Sequence, residues 1–396
     1  MKRIEKMHIG ITGPIYLPSI NLGYKGDRTN WPLGMGGVPV NHLINALLEL
    51  GYHLSVFSSS PEIAIGESFE WHEENISIYV GPFREKARLR VFDFFAVERD
   101  YIKKAILKVK PDIVHAHWQY EWAWGAINSG IPTLVSCHDS PVHVFKSQPD
   151  LYRFFRLIIA FIVVNKASFI TTVSDSCKKG LKLITSKKID VIPNFEPDKV
   201  FDLYSPRTII DNSIIRVVMV NNGFTKLKNV PIGILAFKSF KEHYPNAELH
   251  LFGKSFGIGE EANLWAINKS CSENVFFHGQ LNFDRLIREM SAMDVFLHTS
   301  KQESFGMALV EAMAMGMPVI AGNNSGGPEW ILKNGGGMLV DITNAIAVKN
   351  ALVEIIEPAM YTKTSLLARE IAVNRFSKDK VVKGYIEIYE LITHKK

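Results

Sequence analysis

Residues Glu303 to Trp330 read "ESFGMALVEAMAMGMPVIAGNNSGGPEW". Glu303 and Glu311 bracket Phe305 and Gly306, and a run of small and apolar residues follows. Pro318, a strand-like "PVIAG" and a glycine pair, Gly326 and Gly327, complete the stretch. Carboxylates set in so apolar a segment need partners, because burying an unpaired charge is costly. Upstream, "DVFLHTS" reads as a strand, "KQES" as a loop and "GMALVEAMAMG" as a helix that begins near Gly306. The first turn of such a helix exposes the N–H groups of Phe305, Gly306 and Met307, and its dipole favours an anion. Gly306 removes the side chain that would hold a bulky anion away.

The glutamates repel a phosphate but can accept hydrogen bonds from hydroxyls on either side of one. Glu303 lies before the helix and Glu311 roughly 7–8 Å along it, at ~1.5 Å per residue. A diphosphate with a hydroxyl-bearing group at each end, a nucleotide-sugar, satisfies both carboxylates and the helix terminus together. A purely structural alternative fits the same spacing: Glu303 caps the helix and Glu311 meets a buried lysine.

Working outward, short β-branched segments alternate with longer amphipathic ones across the chain, the pattern of parallel sheets with crossover helices. The first half offers strands "HIGITG", "HLSVFSS", "ISIYV", "DIVHAH", "PTLVSC", "FITTVS" and "DVIPN", with helices near 40–50, 94–109, 151–166 and 174–184. The segment "PNFEPDKVFDLYSPRTIIDNS" lacks any period and reads as a linker. A second alternation follows: "IRVVMV", "AELHLFG", "NVFFHG", "DVFLHTS" and "PVIAG", then a mostly helical tail from about 345. The expected architecture is α/β: two Rossmann-like, doubly wound domains facing each other across a cleft. Boundaries are expected at 1–205, 206–375 and a C-terminal helix, 376–396, that packs back on the first domain. In such sheets ligands bind at the carboxyl ends of strands.

Bulk properties exclude several classes. A chain of 396 residues is long for one core. Cys137, Cys177 and Cys271 lie far apart, which fits a reducing, cytoplasmic setting, and no secretory leader is read in "MKRIEKMHIGITG". The longest apolar run, "LIIAFIVV", falls well short of the ~20 residues of a membrane span. The net charge is +5, and residues 84–110 alone carry nine Lys/Arg against four Asp/Glu. With Phe92, Phe94 and Phe95 interleaved, that segment reads either as a solvated helix face or as an anionic or peripheral membrane-surface contact. No nucleic-acid-binding signature is present, so no nucleic-acid partner is expected.

Three further elements carry chemistry. "WPLGMGGVPVNHLINALLELGYHLSVFS" places Gly34, Gly36 and Gly37 in a loop at a helix N-terminus. In "DIVHAHW", His115 and His117 share one side of a strand, with His138 and Asp139 of "SCHDS" in the same sheet. "VMVNNGFTKLKNVPIGILAF" is again strand, polar loop and helix, with Lys226 and Lys228 in the loop.

Glu303 and Glu311 match the E-x7-E motif of retaining GT-B glycosyltransferases of the family 4 type (glycosyl transferases group 1). Residues 275–340 resemble that family's donor-binding core almost element by element. The resemblance implies that Glu303 contacts the donor sugar hydroxyls and Glu311 the ribose. It implies that Ser304, Phe305, Gly306 and Met307 cradle sugar and phosphate, with Gly36 and Gly37 closing over the donor phosphate. His117 corresponds to the histidine that points at the donor sugar, and Lys228 to the lysine on the diphosphate. The family's arginine is absent, its place held by Asn222 and Gly223; Lys226 is the candidate substitute, though an ammonium cannot reproduce a bidentate guanidinium contact.

The implied reaction is metal-independent transfer from a UDP- or GDP-sugar, with no cofactor, to an acceptor hydroxyl. The acceptor classes are a glycan, a lipid-linked or cell-surface precursor of polysaccharide biosynthesis, or a small molecule. Attack comes from the front face, and the departing phosphate oxygen takes the proton. A non-enzymatic nucleotide-sugar-binding subunit and a GT-B-like epimerase remain as alternatives.

Overall fold

The two alternations fold as two separate sheets in the computed structural model, which describes residues 6–24, 26–206 and 214–394. The chain divides into one unit that runs to Pro193 and resumes at Val381, and a second spanning Asn194–Lys380.

The first unit holds β1 (His8–Thr12), β2 (His53–Ser60), β3 (Phe69–Glu73), β4 (Ile76–Pro82), β5 (Ile113–His117), β6 (Thr133–Cys137), β7 (Phe169–Thr172) and β8 (Asp190–Val191). Their order is β3-β4-β2-β1-β5-β6-β7-β8, parallel throughout except for β3 against β4. Ile9, Ile11, Leu54, Val56, Val114 and Ala116 are fully buried, as a sheet covered by helices on both faces requires. β3 is absent from the sequence reading. Its "FEWHE" alternates half-buried and exposed residues, as an edge strand should.

The second unit holds β9 (Arg216–Val220), β10 (Glu248–Phe252), β11 (Val275–Gly279), β12 (Val295–His298), β13 (Val319–Gly322) and β14 (Gly337–Val340). All pair in parallel in the order β11-β10-β9-β12-β13-β14. This is the dinucleotide-fold order, and the strand connections reverse direction between β9 and β12. In the first unit the corresponding reversal lies between β1 and β5. A ligand crevice belongs at each of these points.

The expected boundaries shift. Residues 194–204 belong to the second unit, because the Glu196 N–H donates to the Phe376 carbonyl (3.1 Å), Val200 is buried, and an Arg369 nitrogen donates to the Phe201 carbonyl (3.0 Å). Residues 207–213 of the expected linker lie outside the described residues. The second crossing falls after Lys380 rather than at 375/376, since Phe376 is fully buried and rests edge-on against Phe305. The helix Lys378–Thr393 then carries Tyr389 to His115, whose Nδ1 lies 2.7 Å from the tyrosine hydroxyl. Among the described residues no helix is long and apolar enough to cross a membrane.

Candidate active site

The helix that follows β12 starts at Met307, and Gly306 is its N-cap with φ of 109°. Such a backbone conformation favours glycine. The loop before it is fixed by the "SGGPEW" loop: the Glu303 N–H donates to the Ser325 carbonyl, and the Gly327 N–H donates to the Glu303 carbonyl, each at 2.8 Å. A Cβ on Gly327 would stand 2.2 Å from the Phe305 carbonyl oxygen, so the two loops can approach only with glycine there. Thus the glycine pair serves to seat Glu303. The helix's first turn, whose opening N–H groups have no partner within the helix, begins four residues later at Met307.

The β9 loop closes on the same point. The Lys301 N–H donates to the Leu227 carbonyl (2.8 Å), and Thr299 Oγ1 donates to the Lys228 carbonyl (3.1 Å). Lys228 Nζ consequently donates to Glu303 Oε1. His298 Nε2 stands 3.5 Å from the same oxygen, too long for a well-formed hydrogen bond but close for an electrostatic contact. Burial raises the Glu303 carboxyl, yet His298 and Lys228 outweigh it and bring it down to about 2. Glu303 is an anion at any physiological pH.

Neither structural role in the alternative reading is observed. Glu303 makes no side-chain cap, and the lysine meets Glu303 rather than Glu311. Glu311 is buried without an ion pair among the described residues, and desolvation lifts its carboxyl to about 7. Lys226 is exposed. Two residues absent from the sequence reading complete the crevice. Asn221 follows β9 and His298 ends β12; both are buried, and among the described residues Asn221 Nδ2 and His298 Nδ1 have no hydrogen-bond partner. Their signal in sequence is slight: a polar residue directly after an apolar strand, at neighbouring strand ends.

In the first unit, His117 ends β5 and is buried. Its Nδ1 lies 2.9 Å from His138 Nε2, and its Nε2 has no hydrogen-bond partner among the described residues. His115 is packed instead, between Tyr389 and Ser136 Oγ (2.6 Å). Burial holds all three histidines neutral, with His138 lowered to about 3. The next residue, Trp118, takes a left-handed φ of 63° and stacks on His138, a strained corner of the kind that functional sites retain. Asp139, beside them, is half-buried and accepts from Gln119 Nε2 and the Tyr120 hydroxyl, both at 2.7 Å.

The two loop glycines differ in purpose. A Cβ on Gly37 would lie 1.9 Å from the Pro14 carbonyl oxygen, so the fold itself demands glycine. A Cβ on Gly36 would meet none of the described residues beyond its chain neighbours within 4 Å, so the space beside it is open.

The basic segment 84–110 spends part of its charge internally. Arg84 bridges Asp93 (2.6 Å) and fully buried Glu98 (2.7 Å), Arg90 lies over Phe83 and Arg99 over Trp124. Phe95 is buried, while Phe92 is 67% exposed. A uniformly solvated basic face is therefore not what forms.

Two family models match this chain, one described as "Glycosyltransferase Family 4" over residues 36–195 and one as "Glycosyl transferases group 1" over residues 205–365. The chain belongs to the family 4 glycosyltransferases. It is 25% identical over 291 residues to the N-acetyl-alpha-D-glucosaminyl L-malate synthase of Bacillus anthracis, covering 70% of this chain and 74% of that protein. Sucrose-phosphate synthase from Thermosynechococcus elongatus superposes with a TM-score of 0.77 at 20% identity, covering 99% of this chain and 100% of that one. The Anabaena protein HepE, solved in complex with UDP and glucose, gives 0.67 at 18% identity, covering 96% and 99%. The fold of this glycosyltransferase is accordingly GT-B, with two Rossmann-like α/β domains.

Proposed function

We propose that this glycosyltransferase moves a sugar, with retention at the anomeric carbon and without a metal, from a UDP- or GDP-sugar to an acceptor hydroxyl. The observation that carries the reading is the contact between Lys228 and Glu303 where β9 and β12 end. A donor sugar's hydroxyls and its diphosphate are neighbours on one molecule. A cation and an ionised carboxylate side by side offer each of them its complement, with Asn221 Nδ2 as a further buried donor. Glu303 then positions the sugar. Lys228, assisted by the first-turn N–H groups around Gly306 and Met307, stabilises the charge that grows on the leaving diphosphate. Glu311 accepts from the ribose hydroxyls. The family resemblance assigns a sugar contact to His117, whose Nε2 has no partner among the described residues, and a phosphate contact to Gly36. Front-face attack passes the acceptor proton to the departing phosphate oxygen, so no protein nucleophile is needed.

For the acceptor, a lipid-linked or cell-surface glycan precursor is the class proposed. Exposed Leu89, Phe92, Leu151 and Phe154 beside exposed Lys86 and Arg88 support it. The test is incubation with radiolabelled UDP- and GDP-sugars. Slow hydrolysis of one donor, lost in Glu303→Ala, supports the reading; binding without any turnover would leave only a nucleotide-sugar-binding subunit.

A further inference from the structure

Where β6 ends, the chain runs through His138 and Asp139 into the helix Pro141–Ser147, and the helix Leu151–Lys166 packs beside it. A cavity of about 110 Å³ lies between these two helices and Tyr120. It belongs wholly to the first unit, and Asp139 on its wall is next in sequence to His138, whose ring meets His117. Tyr120, Asp139, Tyr152 and Arg156 supply the polar lining, and Pro141 and Val144 an apolar side. At ~30 Å³ per water the cavity has room for roughly four waters, or for the hydroxyl-bearing edge of one sugar ring.

Two of its polar groups are only partly used. The bonds that Asp139 accepts from Gln119 Nε2 and the Tyr120 hydroxyl both fall on Oδ1, so Oδ2 keeps acceptor capacity. Arg156 stacks on Tyr120, its guanidinium carbon 3.6 Å from the ring centre. It donates to Glu121 (3.2 Å) and to the Tyr152 hydroxyl (3.3 Å) from a single nitrogen, Nη1, which leaves the other guanidinium N–H groups to donate elsewhere. A network kept for stability alone would spend both carboxylate oxygens and more of the guanidinium fork.

Charge narrows the ligand. Arg156 is paired with buried Glu121 and Arg153 with Asp150, while Asp139 adds a carboxylate of its own. No surplus of positive charge is left for a phosphate or a carboxylate. Hydroxyls suit the lining instead, because each both donates and accepts. The tyrosine rings and Val144 offer apolar surface to the C–H groups between them.

We propose that this cavity is a sugar subsite for the acceptor: Asp139 Oδ2 accepts from one hydroxyl of a neutral pyranose, and Arg156 donates to its neighbour on the ring. The proposal rests on the glycosyl-transfer reading above and narrows the acceptor to one that ends in a neutral sugar. Asp139 and Arg156 then set acceptor specificity.

Transfer by the full chain from radiolabelled UDP- and GDP-sugars to the methyl pyranosides of glucose, galactose, mannose and N-acetylglucosamine tests it, with glycerol 3-phosphate as the anionic probe. At least one glycoside should give a labelled product with saturable kinetics, and glycerol 3-phosphate should neither accept nor compete. Asp139→Asn removes the charged acceptor and should raise KM for that glycoside roughly tenfold. Arg156→Lys keeps a cation for Glu121 but loses the fork, and should raise it similarly. Val144→Phe fills the cavity without touching a charge and should raise it at least as much. All three should bind UDP and GDP in calorimetry as the parent does, which separates a lost acceptor contact from a lost fold. Parental KM in Asp139→Asn and Val144→Phe overturns the subsite, and so does competition by glycerol 3-phosphate that Arg156→Lys relieves. A donor hydrolysed with none of the glycosides accepted overturns the subsite alone; no turnover of any donor overturns the transfer reading with it.

Discussion

Glu311→Gln should make the protein more stable at pH 8 and a poorer nucleotide binder. The side chain is only 6% exposed, and its carboxyl is raised from 4.5 to about 7. Between those values the unfolded chain has released its proton while the folded chain holds it, so stability falls as pH rises. The penalty is complete above pH 7. A span of 7 − 4.5 = 2.5 pH units, at roughly 1.4 kcal/mol each, amounts to about 3 kcal/mol. The amide carries no charge and escapes that penalty. For a unit of this size each kcal/mol shifts the melting temperature by ~2–4 °C, so a rise of roughly 6–12 °C is expected at pH 8, with little difference near pH 4.5. The same substitution removes the proposed charged acceptor for the ribose hydroxyls, worth ~1.5–3 kcal/mol, or roughly 10- to 150-fold in nucleotide affinity. Thermal unfolding across pH and calorimetric titration with UDP and GDP measure the two effects. A variant less stable than the parent at pH 8 would refute the buried-charge argument; one that binds both nucleotides as the parent does would refute the ribose contact.

Four further outcomes are expected. Lys228→Ala should lower kcat more than it weakens nucleoside binding, because the lysine acts where charge develops; Lys226→Ala, at an exposed position, decides by its own kinetics whether that lysine replaces the missing arginine. Activity should survive EDTA, and loss with rescue by Mn²⁺ or Mg²⁺ would contradict the metal-independent reading. The depressed Glu303 carboxyl adds stability that is present above 4.5 and lost as pH falls through about 2. Glu303→Gln should therefore melt lower than the parent at pH 7, and the two should converge at the acid end. Arg84→Ala strands buried Glu98 without its partner and should cost ~3–5 kcal/mol in chemical denaturation, with no specific effect on nucleotide affinity.

The proposed donor side of this site is legible because its parts are local. The E-x7-E stretch, Gly306 and the second glycine pair lie within one strand–helix–strand unit, and the periodicity places them correctly. What joins Lys228 to Glu303 is the pairing of β9 with β12, and no spacing within a single segment reports a contact between loops that far apart in the chain. The lysine was therefore expected on Glu311 in the structural alternative and found on Glu303. Asn221 and His298 escaped notice for the same reason, since each is one polar residue after an apolar run until the sheet order sets them side by side. β14 reads poorly because it is four residues long and begins at Gly337. The helix Glu121–Asn128 is obscured by Gly125, where a Cβ would meet the Arg99 carbonyl at 2.8 Å; that close approach, not helix propensity, fixes the glycine.

In the proposed reaction Lys228 and Glu303, where β9 and β12 end, hold the donor by its diphosphate and its sugar. A crystal structure of the full chain with a non-hydrolysed UDP- or GDP-sugar measures this directly. A phosphate oxygen is expected within hydrogen-bond distance of Lys228 Nζ, with sugar hydroxyls on Glu303 and ribose hydroxyls on Glu311. A nucleotide bound away from these strand ends, or bound while Lys228 stays on Glu303 without touching phosphate, would contradict it.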